Sequence, residues 1–246
     1  MLLKSQVKYI QSLGQKKFRD EEAVFIAEGP KIVNELLQSP RTSLVNLFAT
    51  REWMNANPRV LASLSPGQLI EIEESYLKRI SGLSTPNQLL GIFKKPITAS
   101  LVLQNRVSLV LDNIQDPGNL GTMIRIADWF AVRYIVCSEH SVDAFNPKVV
   151  QSSMGSICRV EVFYKELKSF FSQYADIPRY ATVLDGENVF TMRPLKVGLI
   201  LIGNESQGIS PELLKMSHHT ISIPRKGEAE SLNAAIAAGI ILSHLT

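Results

Sequence analysis

From residue 107 onward the chain alternates short apolar runs with stretches of helical spacing. The runs fall at 107–111, 134–136, 160–163, 180–184, 197–202 and 220–223, with helical patterns at 122–130, 147–153 and 166–174 among them. This order predicts a parallel sheet covered by helices on both faces. Open sheets of that kind hold small ligands beyond the carboxyl ends of their strands. Two strand ends here lead into loops of glycine and small polar residues. Residues 197–202 run into Gly203-Asn204-Glu205-Ser206-Gln207-Gly208. Residues 220–223 run through Pro224-Arg225-Lys226-Gly227 to Ser231-Leu232-Asn233 and an alanine-rich helical stretch, 234–242. Glycine lets backbone amides and carbonyls approach a flat ligand closely. A third strand end holds Thr182, Leu184 and Gly186 and suits one wall of a pocket.

Upstream of residue 107 the pattern is smaller in scale. Apolar residues at helical spacing, Leu3, Val7, Ile10 and Leu13, stop at Gly14. Strands are expected at 24–27, 45–49, 69–72 and 89–93, with helices at 31–37 and 75–83, the second capped by Ser75. Residues 94–100 have linker character. A chain of 246 residues is long for one domain and comfortable for two. The expected division is an N-terminal α/β domain over 1–95, a linker over 96–105 and a larger α/β domain over 106–246. Charge divides in the same way. Residues 1–100 carry 13 Lys and Arg against 9 Asp and Glu, whereas 101–246 carry 13 against 14. Within the cationic part, Lys16, Lys17 and Arg19 surround Phe18. That combination suits phosphate contact plus base stacking. A solvated basic turn with Phe18 in the core fits it equally well.

Other classes find little support. No apolar run approaches the length of a bilayer span, and the lysine-broken N-terminus shows no secretory signal core. Cys137 and Cys158 lack CxxC spacing, which predicts buried free thiols and fits a reducing cytoplasm. The histidines have no ligand-like spacing, and His218-His219 reads as solvated loop, so no metal is expected. Asp116-Pro117-Gly118-Asn119-Leu120-Gly121 lies between strand and helix but is neither GxGxxG nor a Walker loop. A nucleotide-dependent oxidoreductase is therefore poorly supported. Arg125, one turn past Gly121, fits either a bidentate phosphate clamp or a surface ion pair with Asp128 or Asp116. Glu205 is the carboxylate of its loop. Ser231 fits a helix cap, and no histidine is placed to activate it as a nucleophile.

Together these stretches resemble the motifs of one family. Residues 116–130, DPGNLGTMIRIADWF, are similar to the first motif of the SpoU (TrmH) family of RNA 2′-O-ribose methyltransferases, in the SPOUT superfamily. Residues 201–210, LIGNESQGIS, resemble the second motif, and 223–240, IPRKGEAESLNAAIAAGI, the third. Residues 12–37 look like the family's small substrate-binding domain. The resemblance implies an α/β SPOUT fold, a parallel sheet whose C-terminal segment threads a trefoil knot. It implies S-adenosylmethionine as methyl donor, in a pocket lined by Thr182, Leu184, Gly186, Ile202, Gly203, Asn204, Gly208, Ile223 and Leu232. Asn119 and Arg125 would act at the ribose 2′-hydroxyl, while Glu205, Ser231 and Asn233 would order donor and ribose. A guanidinium resists deprotonation, so clamping phosphate and developing alkoxide is the easier role for Arg125. The resemblance also implies a homodimer in which first-motif residues of one subunit face the donor of the other. The apolar stretch 234–242 is consistent with a buried knot or dimer helix. Gln151 and Ala234-Ala235 depart from the common family pattern. The expectation is a cytoplasmic RNA 2′-O-ribose methyltransferase acting on ribosomal RNA. Its alternatives are a transfer-RNA substrate, or RNA binding without catalysis.

Overall fold

The computed structural model describes residues 2–97 and 100–246; residues 98 and 99, within the expected linker, lie outside the described residues. The chain forms two compact units, Met1–Ile97 with Phe145–Cys158 and Thr98–Ala144 with Arg159–Thr246.

The first unit opens with α1 (Lys4–Ser12) and α2 (Lys16–Glu21). Val7, Ile10 and Leu13 are buried at the spacing of one helical face. The segment read as a basic turn is the helix α2, and Arg19 on it is only 1 % exposed. Its Nη1 donates to the carbonyls of Leu13 at 3.0 Å and Gly14 at 2.8 Å. The guanidinium satisfies carbonyls released where α1 ends. Arg19 is thus a structural residue, which corrects its assignment to RNA. Lys16, paired with Asp20, and Lys17 remain exposed, and Phe18 packs partly against the core.

The unit continues through β1 (Val24–Glu28), α3 (Pro30–Gln38), β2 (Ser43–Ala49), α4 (Arg51–Ala56), α5 (Pro58–Ala62), β3 (Leu69–Glu71), α6 (Glu74–Ile80) and β4 (Leu89–Lys94). Its sheet has the order β1-β4-β2-β3, antiparallel except for the β2–β3 pair. Two short helices, α4 and α5, carry too few turns to show a periodic signal; Thr50 caps the first and Pro58 starts the second. Helix α6 begins at Glu74 after Glu73, so Ser75 lies inside the helix and does not cap it. At the end of β1 the buried Glu28 carboxylate accepts from the Ser81 hydroxyl and from the Gly82 amide at 3.0 Å. Burial pushes its pKa up, against those two donors.

The second unit carries β5 (Val107–Leu111), α7 (Pro117–Trp129) and β6 (Tyr134–Ser138). Helix α8 (Pro147–Ser153) follows in sequence but packs in the first unit, against β1. Phe145, just before it, sets its ring 5.0 Å from that of Phe25. The second unit then resumes with β7 (Glu161–Lys165), α9 (Leu167–Gln173), β8 (Arg179–Asn188), β9 (Gly198–Ile202), α10 (Pro211–Lys215), β10 (His219–Ser222) and α11 (Ala234–Leu245). Its sheet order is β10-β8-β9-β5-β6-β7, parallel throughout. The β5 and β9 residues Leu109, Val110, Leu111, Leu199, Ile200 and Leu201 are fully buried, as continuous apolar runs in a doubly covered sheet should be. Leu103, in the expected linker, is equally buried in this core.

Helix α7 starts at Pro117, five residues earlier than its apolar pattern suggests. Asp116 Oδ1 accepts from the Asn119 amide at 2.8 Å, and Pro117 occupies the first helical position. That pairing of cap and proline turns the expected loop into the first turn of the helix. His219 lies in β10 and stacks on Tyr180, and His218 contacts Arg179, so neither is loop solvated on all sides.

Replacing Arg19 with Met should leave buried carbonyls without a donor. The first unit should lose about 1–3 kcal/mol of stability, read as an earlier urea transition.

Candidate functional site

The carboxyl ends of β10, β8, β9 and β5 lie side by side in the sheet. The strand order reverses around β5 and β9, and such a switch point leaves a crevice between loops. Loop 203–210 leaves β9 there. A Cβ on Gly203 would stand 2.2 Å from the carbonyl carbon of Gly208, so only glycine fits. Asn204 and Gly208 exchange backbone hydrogen bonds of 3.0 and 2.9 Å, with Gly208 at φ +71°. The Asn204 side chain is fully engaged as well. Its Oδ1 accepts from the amides of Ser206 at 2.9 Å and Gln207 at 3.1 Å, and its Nδ2 donates to the Asn113 carbonyl at 2.8 Å. Asn204 therefore builds the loop from its own half-buried side chain.

Glu205 stands exposed on this loop, and its Oε1 accepts from Asn119 Nδ2 at 2.7 Å. Asn119 Oδ1 in turn accepts from Asn233 Nδ2 at 2.8 Å. Asn233 Oδ1 caps α11, accepting from the amides of Ala235 at 2.9 Å and Ile236 at 3.2 Å. A cap of this kind contributes about 1 kcal/mol. It is Asn233 and not Ser231 that takes this role; Ser231 is exposed just upstream. Residues from each of the motifs thus meet in one chain of side-chain hydrogen bonds.

Arg125 stands apart. It is exposed on α7, and among the described residues no side-chain hydrogen bond joins it to Glu205, Asn119 or Asn233. Asp128 is taken by Arg159 at 2.8 Å and Asp116 by its own helix, so neither foreseen ion pair holds Arg125.

Strand β8 supplies the other wall. Ala181 pairs with Thr220 but Glu187 pairs with Ile221, so residues 182–186 bulge out of the ladder with β10. The bulge is pinned at both ends. Thr182 Oγ1 donates to the Leu201 carbonyl at 2.8 Å, and Ser222 Oγ donates to the Gly186 carbonyl at 2.8 Å. A Cβ on Gly186 would be 2.7 Å from the Ile221 backbone. Thr182, Gly186, Ile202, Gly203, Gly208 and Ile223 are thereby gathered at neighbouring strand ends. Leu184, on the bulge, and Leu232, next to Asn233, are 71 % and 49 % exposed.

The residues that sequence reasoning passed over are Asp112, Asn113 and Ser138. Asp112 Oδ2 accepts from the Ser210 amide at 2.8 Å, and Ser138 Oγ accepts from the Asn113 amide at 2.8 Å. In sequence, Asp-Asn after a strand signals only a turn. Among the described residues, no cluster of His, Cys, Asp and Glu is arranged to hold a metal, and no helix is long and apolar enough to cross a membrane. Cys137 and Cys158 are buried and not joined in a disulfide, and burial pushes the Cys137 thiol far up from its ordinary pKa.

This fold and site define an α/β protein whose glycine-closed loops meet at the switch point of a parallel sheet. Residues 106–243 match the SpoU rRNA Methylase family, and residues 4–91 match the MRM3-like substrate binding domain. The chain belongs to the SpoU rRNA Methylase family. It is 32 % identical to the 23S rRNA (guanosine(2553)-2′-O)-methyltransferase RlmP of Bacillus subtilis, over 98 % of this chain and 95 % of that protein. Its structure superposes with a TM-score of 0.84 on a TrmH-family protein from Porphyromonas gingivalis, 35 % identical, covering 99 % of this chain and 97 % of that one. A TM-score of 0.84 is also reached with an AdoMet-bound rRNA methyltransferase from Sinorhizobium meliloti, 30 % identical, covering 98 % and 94 %.

The two loop glycines should respond differently to alanine. Gly208→Ala meets open space and carries only the left-handed backbone penalty, about 1–2 kcal/mol. Gly203→Ala carries no such penalty but must push the loop backbone apart from a 2.2 Å approach, so its loss in chemical denaturation should be the larger one.

Proposed function

We propose that this protein is an S-adenosylmethionine-dependent methyltransferase that modifies ribose 2′-hydroxyls of ribosomal RNA. The observation that carries this reading is the Glu205–Asn119–Asn233 chain, set beside the glycine-closed loops of a SpoU-family sheet. The loops suit a nucleoside donor. Their glycines remove side-chain bulk, while Leu184 and Leu232 offer exposed apolar surface for a flat ring. When bound by loops 182–186, 203–208 and 223–232, the donor supplies an electrophilic methyl group.

What remains to the protein is to position, desolvate and balance charge. Asn119 holds the Glu205 carboxylate in place, and that carboxylate, with Ser231 and Asn233, orients the ribose by hydrogen bonds. The planar guanidinium fork of Arg125 clamps the substrate phosphate and stabilises the developing alkoxide.

Arg125 has no tie to the hydrogen-bond chain of its own subunit. The same helix ends in Trp129, 84 % exposed, and α11 shows Ile236, 55 % exposed. Exposed apolar groups of this size mark an interaction surface. We read the working form as a homodimer in which Arg125 of one protomer completes the site of the other. Residues 1–95, with 145–158 in the same unit, deliver RNA through Lys16 and Lys17, and the remainder of residues 106–246 carries the chemistry. The C-terminal segment threads a trefoil knot, a reading supported by family membership and by β9 lying between the earlier strands β5 and β8. The reaction is placed in the cytoplasm, where buried free thiols persist.

Unmodified ribosomal RNA incubated with methyl-labelled donor should yield label in alkali-resistant dinucleotides, and transfer RNA should not. Label confined to transfer RNA, or donor binding without transfer to either, would overturn the proposal. Arg125→Ala should slow single-turnover transfer by on the order of 10²–10³ while donor affinity changes only a few-fold. Arg125→Lys should rescue poorly if the guanidinium fork is what matters. Light scattering should give twice the chain mass, the commonest closed assembly; a monomer with full turnover would sink the dimer reading.

A further inference from the structure

The loop that carries Glu205 is braced from strands on the far side of β9. Asn113 follows β5 in a left-handed conformation, φ +56°. Its amide donates to Ser138 Oγ at the end of β6, at 2.8 Å, and its carbonyl accepts from Asn204 Nδ2, also at 2.8 Å. Ser138 Oγ is itself 3.0 Å from Ser141 Oγ. One backbone residue therefore connects β6 to the loop after β9. The next residue back, Asp112, grips the other end of that loop through the Ser210 amide at 2.8 Å. Between these anchors Asn204 gathers the amides on the far side of Glu205, those of Ser206 and Gln207.

We propose that Ser138, Asn113 and Asn204 form a line of positioning residues that sets loop 203–208, and with it Glu205, for the donor. The proposal rests on the reading of this loop as donor-binding. None of these groups needs to touch a ligand. Asn113 acts through its backbone, so its requirement is the left-handed conformation. Asparagine tolerates that conformation, glycine adopts it freely, and a β-branched residue resists it. Asn204 acts through a carboxamide with one donor and one acceptor end. Aspartate at 204 would keep the acceptor for Ser206 and Gln207 but turn a second oxygen against the Asn113 carbonyl.

The test uses the full chain, with S-adenosylmethionine titrated calorimetrically and methyl transfer followed in the steady state. Asn204→Asp should raise donor Kd and donor KM about tenfold, the effect of withdrawing roughly one hydrogen bond, with kcat lowered as well because Glu205 moves with the loop, and RNA KM changed far less. Ser138→Ala should move donor KM in the same direction although it lies on another strand. Asn113→Val should follow Asn204→Asp, while Asn113→Gly stays near the wild type, a rescue that depends on backbone conformation alone. Lower melting temperatures for Ser138→Ala and Asn204→Asp with unchanged donor affinity would mean a purely structural role and overturn the proposal. Should Asn113→Val fail to fold, Ser138→Ala decides. A wild-type protein that binds no S-adenosylmethionine refutes the donor-loop reading itself, a result distinct from variants that bind it normally.

Discussion

A carboxamide donates from one end and accepts at the other, and Asn119 uses both ends at once. Its nitrogen faces the Glu205 carboxylate and its oxygen faces the Asn233 amide. The orientation is therefore fixed, since a flipped amide would set oxygen against carboxylate and nitrogen against nitrogen. The three partners come from segments far apart in sequence, the first turn of α7, the loop after β9 and the cap of α11, and the pairing of β9 with β5 brings the first two together. Each member has a second anchor. Asp116 holds the Asn119 backbone, the Asn204 turn frames Glu205, and Asn233 is fixed by capping α11. Groups held from two directions lose little further freedom when a substrate arrives, which is the basis of preorganised sites.

Much of this fold could be read from residue order. The apolar runs marked the strands of the second unit's sheet, because a doubly covered parallel sheet demands continuous apolar segments. The glycine loops at 203–208 and at 186 were legible because Gly203 and Gly186 answer close backbone approaches and Gly208 a left-handed backbone. Less visible was how the polar residues of the site divide their work. Asn204 and Glu205 are neighbours in one polar loop, yet one is tied wholly inward and the other stands exposed. That distinction depends on where the Asn113 carbonyl points, a fact of tertiary structure. The same limit applies to Arg19, a cation in a basic cluster whose partners are carbonyls at a helix end. Charge patterning cannot separate a guanidinium aimed at solvent from one aimed inward.

Helix α8 shows a third kind of limit. Its boundaries follow from Pro147 and the apolar spacing, and Asn146 caps it. Nothing in that local pattern says which core receives its buried face. Gly155, at φ +94° and pressed against Glu35, and the Phe145 ring on Phe25 attach the segment to the first unit. Gln151 is thereby part of the unit whose residues 4–91 match a substrate binding domain.

This excursion of residues 145–158 bears on the order in which the chain can be completed during synthesis. Domains ordinarily fold as units, N-terminal first, while the remainder is still being translated. Here the N-terminal unit lacks one of its covering helices until residue 158 has left the ribosome. By then β5, α7 and β6 have emerged, but their central neighbour β9 has not. The nascent chain thus carries two unfinished cores at once, each with apolar surface awaiting a segment still to be made. Translation speed and chaperone access across the stretch from residue 98 to residue 202 should therefore influence its yield more than they would for two domains arranged end to end.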